Sequence, residues 1–141
     1  MEKTSQPIRG ERLVLCFGSE NAPGDNLALL LAKTVKIPGY RLLALHTPDA
    51  VLSYIGLEFV LLDVAQGIRK PTVLAGTDSL EATHRVSLHD FDIGFFAKLL
   101  SGLDPDLNLR IIAFPLGYSK EKAEKELAGL LKKAFATPGR A

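Results

Sequence analysis

Short, nearly continuous apolar runs alternate along this chain with longer segments of helical period. Arg12–Gly18 holds the run LVLCF and stops at Gly18. A run that short and apolar on both faces predicts a buried parallel strand. Asp25–Lys36 is longer and rich in Leu and Ala. It opens on Gly-Asp-Asn and is closed by Pro38-Gly39, which predicts a helix with its start and stop signals in place. Arg41–Leu45 (RLLAL) and Glu58–Leu62 (EFVLL, closed by Asp63) predict two more strands, and Thr72–Ala75 a weak fourth. Asp49–Ile55 predicts a short helix after Thr47-Pro48. Asp90–Leu100 sets Phe91, Phe95 and Leu99 at helical spacing, with Ile93 and Phe96 beside the stripe. Leu109–Phe114 predicts a last strand, ended by Pro115. Ser119–Phe135 predicts a charged helix burying Ala123, Leu127, Leu130, Leu131 and Ala134.

That alternation implies an α/β fold: three layers, a mostly parallel twisted sheet of about five strands, helices on both faces. The 141 residues fit a single domain, 1–141, with 1–10 and 137–141 expected to be flexible tails. A formal charge of +1 gives no electrostatic case for nucleic acid or an anionic membrane surface as partner. The single cysteine excludes an intramolecular disulfide and a four-thiolate metal cluster. No apolar run approaches the ~18–20 residues of a membrane span, and Met1–Arg12 lacks the apolar core of a secretory signal. The expectation is a cytoplasmic protein without membrane insertion, of a composition that suits a monomer.

Folds of this class bind ligands at the carboxyl ends of their strands. The loops there are Gly18–Asp25, His46–Asp49, Asp63–Gly67 and Pro115–Ser119, with the segment before Asp90 expected nearby. Asp63 follows a buried strand, so it is either a partner for backbone donors or a site residue. Asp25 opens a helix, where an acid also serves as a cap for orphan N–H groups. His89 stands in Ser87-Leu88-His89-Asp90-Phe91-Asp92, just before a helix; an isolated histidine there is commonly a packed or surface residue. Together, two carboxylates and an imidazole at one sheet edge make a three-ligand metal site with open positions, suited to a borderline divalent ion such as zinc, nickel or iron.

Other chemistries fare worse. Gly18-Ser19-Glu20-Asn21-Ala22-Pro23-Gly24-Asp25 matches neither GxGxxG nor GxxxxGK[ST], carries no Lys, and holds two acids that would repel a phosphate. There is no GxSxG elbow. Cys16 lies within a strand as a core residue. His46 and His84 read as bystanders, and Lys120–Lys125 as a solvated helix face with i,i+4 pairs such as Glu121–Lys125.

The constellation resembles the hydrogenase maturation proteases, which trim the C-terminal tail of the nickel-iron hydrogenase large subunit. That family opens on an apolar strand followed by G-N-x-x-x-G-D-[DE]-G-[VI]-G. Aligned from Gly18, the second acid of the motif falls on Asp25, and Ala28 takes the place of a small residue. Val60-Leu61-Leu62-Asp63-Val64-Ala65 is similar to its [ILV]-[ILV]-x-D-A, Ser87-Leu88-His89 to its S-x-H, and Ile112-Ala113-Phe114-Pro115 more loosely to G-[IV]-x-P. The resemblance runs in order from Arg12 to Phe135. Ser19, Gly24 and Asn26 depart from the motif. His46-Thr47-Pro48-Asp49 looks like the Thr/Val-Pro-Glu variant of one branch in place of a glycine-rich middle motif. Leu116-Gly117-Tyr118 is a shorter link to the last helix than many relatives carry.

The resemblance implies a metal-dependent, aspartic-type endopeptidase that removes the C-terminal extension of the hydrogenase large-subunit precursor. Asp25, Asp63 and His89 would be both metal ligands and catalytic residues. The metal would be nickel supplied by the precursor, with zinc or cadmium able to substitute. Two alternatives stand beside it. One is a non-proteolytic module on the same fold that docks a metal or a metalloprotein partner. The other is a flavodoxin-like nucleotide-binding domain using Gly18–Gly24.

Overall fold

A computed structural model describes residues 10–18, 26–75, 87–88, 102–103 and 109–136. The elements follow in the order β1 (Arg12–Phe17), α1 (Leu27–Thr34), β2 (Tyr40–Leu45), a 3-10 helix (Pro48–Tyr54), β3 (Phe59–Gln66), β4 (Thr72–Ala75), β5 (Ser87–Leu88), β6 (Arg110–Pro115) and α2 (Lys120–Ala136). The sheet order is β2-β1-β3-β6-β4, with β5 paired to β3. The β1–β2, β1–β3 and β3–β6 pairs are parallel, while β4 runs antiparallel to β6 and β5 antiparallel to β3. The expected open, mostly parallel sheet with flanking helices is the one found.

Strand periodicity splits the core into two layers. Leu13, Leu15, Phe17, Phe59, Leu61 and Ile111 face one way and pack under Val51 and Tyr54 of the 3-10 helix. Val14, Cys16, Val60, Leu62, Ile112 and Phe114 face the other way, under Leu27 and Leu31 of α1 and Leu127 and Leu131 of α2. β1 and β3 are central and buried on both faces, which is why their sequences read as continuous apolar runs.

Several boundaries differ from the sequence reading, each for a local reason. The segment expected as a short helix at Asp49–Ile55 is a 3-10 helix over Pro48–Tyr54, with proline in its first turn. β3 does not end before Asp63 but continues to Gln66, because β6 supplies paired backbone as far as Ala65↔Pro115. Ser87–Leu88 forms a two-residue strand that its composition did not signal. The last helix starts at Lys120, with Ser119 as its cap: Lys122 N–H donates to Ser119 Oγ at 3.2 Å. Its charged face carries a Lys120–Glu124 pair. The expected helix over Asp90–Leu100 and both tails lie outside the described residues.

Candidate functional site

The strand order 2-1-3 makes the β1/β3 boundary the topological switch point. The chain leaves β1 for β2 on one side, then crosses back to lay β3 on the other. Crevices at such points, beyond the carboxyl ends of the strands, are where open α/β sheets take ligands.

Asp63 lies at that boundary. β1 is paired with β3 as far as Cys16↔Leu62 and ends one residue later, at Phe17. β6 runs along one edge of β3 through Ala65. β5, pairing Leu88 with Ala65 and Ser87 with Gln66, therefore takes the opposite edge, which β1 has vacated. Asp63 and Val64 fill the gap between the end of β1 and the end of β5.

Asp63 is fully buried, one of two buried polar or charged side chains in the described core, the other being Arg110. Its parity places it with Leu61 and Ala65, on the face covered by the 3-10 helix. Oδ1 accepts the Val64 N–H at 2.7 Å, and Oδ2 is equally enclosed. A carboxylate this deep is costly to desolvate and is kept only where other groups stabilise it or where it has work to do. Its charge also reaches the other face of the sheet. Cys16 has its thiol pKa pushed far up, by burial first and by the Asp63 charge second. That thiol stays protonated at neutral pH, so Cys16 is no nucleophile, as its place in β1 suggested.

Asp25 and His89, the other two expected ligands, lie outside the described residues, as do Asp90, Asp92 and His84. Their sequence neighbours are described. The N-cap of α1 is Asn26, not Asp25; Asn26 makes no side-chain capping bond, and the first turn of α1 contains no acid. Leu88, which precedes His89, is the residue paired with Ala65, and β5 is directed back along β3 toward Val64. Among the described residues no three His, Cys, Asp or Glu side chains come together. His46 lies just past β2, exposed to solvent.

The turn after β6 is fastened to β3. Leu116 N–H donates to Ala65 O at 3.2 Å, so the turn after Pro115 is tied to β3 two residues beyond Asp63. Gly117 has φ +78, a left-handed conformation that a side chain would strain. The turn lies within Pro115–Ser119, one of the strand-end loops that the alternation of strands and helices singles out for ligands.

No helix among the described residues is long and apolar enough to cross a membrane. No family model matches the sequence, and neither does any curated protein. Two solved structures share its fold. One is a [NiFe] hydrogenase maturation protease, HybD, from Thermococcus kodakarensis: TM-score 0.66, 21% identity, 90% of this chain and 99% of that one covered. The other is an uncharacterized protein from Wolinella succinogenes: TM-score 0.55, 19% identity, 86% of this chain and 99% of that one covered.

Proposed function

We propose that this protein is an endopeptidase that removes the C-terminal extension of a nickel-iron hydrogenase large-subunit precursor, using a metal that the precursor itself carries. The observation that carries the reading is Asp63: a buried carboxylate at the β1/β3 switch point of a fold shared with HybD, in the gap between the ends of β1 and β5.

In this reading Asp25, Asp63 and His89 complete the coordination of the precursor's nickel and thereby dock the substrate. A divalent ion held beside a peptide bond polarises the carbonyl and acidifies a bound water. The chain's own groups supply the rest. A carboxylate oxygen of Asp25 or Asp63 that does not hold the ion would accept the proton of the attacking water and pass it to the leaving amine as the C–N bond breaks. His89 binds through one ring nitrogen, while Asp90, Asp92 or a backbone carbonyl fixes the other. The raised thiol pKa of Cys16 leaves no cysteine nucleophile in the described core, which favours direct attack by water over a covalent intermediate.

The test is intact-mass analysis of a nickel-loaded precursor incubated with the wild type, Asp25→Asn, Asp63→Asn and His89→Ala. The expected result is loss of a C-terminal peptide with the wild type, and a fall of at least about 100-fold in rate for each variant with unchanged circular dichroism. Cleavage by Asp63→Asn at the wild-type rate would sink the mechanism. Metal-dependent complex formation without any cleavage would make the protein a docking module instead.

A further inference from the structure

β2 forms one edge of the sheet. Arg12 N–H donates to Gly39 O at 2.9 Å, which sets the phase of the β1–β2 ladder: Arg41, Leu43 and Leu45 turn their backbone groups toward β1. Leu42 and Ala44, at the alternate positions, turn theirs outward, and among the described residues no strand pairs with that side. Edge strands are ordinarily shielded by prolines, bulges or charges along the strand. β2 runs for six residues, YRLLAL, with no proline and one charge. That charge, Arg41, is engaged by Glu11 at 3.9 Å. The opposite edge, β4, is shorter, at four residues.

A cavity of about 570 Å³ lies alongside β2, between the end of α1 and the first residues of the strand, with Lys33, Val35, Lys36, Tyr40, Arg41 and Leu42 in its wall. Glu11 is the one acid there, against three cations. Lys33 and Lys36 are both exposed. The two faces of β2 differ. Tyr40 and Leu42 pack with Val35 and Ile37 on the α1 face, Leu43 and Leu45 on the face of the 3-10 helix. A strand added to this edge would set alternate side chains beside the lysines and beside Leu43 and Leu45. We infer that the β2 edge docks an extended segment of a partner protein, acidic at every second residue and apolar between, as an added strand. A second copy of this chain fits less well. β2 holds no carboxylate, so pairing it with itself brings another Arg41 and no acid to the groove. The surface is separate from the Asp63 crevice: Leu42 pairs with Val14, three residues before the end of β1.

The probe is a peptide of about ten residues alternating Glu and Val, long enough to span an edge strand of this length. A peptide alternating Lys and Val is its control. Each is titrated into isotope-labelled protein and followed by amide NMR. The Glu peptide should bind, and the Leu42 and Ala44 amides should gain protection from hydrogen exchange. The Leu43 N–H, already bonded to β1, should not change. Ala44→Pro removes an outward donor and leaves the β1 ladder intact, so it should weaken binding roughly tenfold and keep the thermal midpoint within about 2 °C. Lys36→Glu should weaken binding of the Glu peptide about threefold and strengthen that of the Lys peptide. Equal binding of the two peptides, or binding that leaves Leu42 and Ala44 exchanging as before, would overturn the inference. No binding at all would do the same. So would a dimer in sedimentation that Ala44→Pro dissolves, because the occupant of the edge would then be a second copy.

Discussion

At the scale of single residues, two buried groups back to back set the electrostatics of the central strands. Asp63 on β3 faces the 3-10 helix, and Cys16 on β1 faces α1 and α2. The folded protein holds the Cys16 thiol protonated far above its ordinary range. Below about pH 8.5 the thiol is protonated in both folded and unfolded chains and favours neither. Above that, only the unfolded chain ionises, so stability falls as pH rises, by up to about 1.4 kcal/mol per pH unit from this group. Urea unfolding of the wild type and Cys16→Ala from pH 7 to 10 should show the alkaline slope reduced in the variant. Equal slopes would mean that the thiol titrates normally. The same residues show what the sequence discloses about a site. Asp63 was legible because a lone carboxylate after four apolar residues stands out against its background. Its depth inside β3 was not legible, because pairing with β6 rather than local propensity carries the strand on to Gln66.

Among the elements, α2 is held at both ends by side chains. Ser119 caps its start, and Arg110 caps its end from the first position of β6. Arg110 Nη1 donates to Ala134 O at 3.0 Å and Phe135 O at 3.3 Å, and its guanidinium lies 5.4 Å from the centre of the Phe135 ring. The bond to Glu58, at 3.5 Å, is weaker, and the Glu58 side chain is 60% exposed. Charged hydrogen bonds to otherwise orphaned carbonyls are worth about 1.5–3 kcal/mol, whereas an ion pair with an exposed partner contributes below about 1 kcal/mol. Arg110→Ala should therefore lower the unfolding free energy by about 2–3 kcal/mol in urea titrations, and Glu58→Ala by less than about 1 kcal/mol. Equal losses would show that the ion pair, not the helix cap, is what Arg110 provides. The helix itself was plain in the sequence, since Ala123, Leu127, Leu131 and Ala134 repeat at 3.6-residue period. Its clamp was not, because Arg110 and Ala134 are 24 residues apart and no periodicity links them. β5 escaped notice for a related reason. A two-residue strand has no period of its own and exists only through the free edge of β3 beyond β1.

For the whole molecule, the division of labour between core and site decides what a metal can do. Two apolar layers close over the two faces of the sheet, and each is built from strands and helices distant in sequence. Each leucine, isoleucine, valine or phenylalanine buried there contributes about 1.5–3 kcal/mol. That burial completes the fold at its centre, short of the strand ends. In the proposed reading the ion sits at that strand edge, where Asp25 and His89 follow β1 and β5 in the sequence. An ion at that edge would therefore act in the reaction and not as a structural staple of the kind that small metal-dependent domains need. Incubation with a strong chelator should leave the thermal midpoint of this protein within about 2 °C of its untreated value. The same treatment of the precursor, stripping its nickel, should abolish both complex formation and cleavage. Calorimetry on the chain alone and intact mass on the mixture separate the two effects. A chelator-induced drop of about 10 °C or more would place a metal in the fold itself, and cleavage of a nickel-free precursor would remove the metal from the reaction.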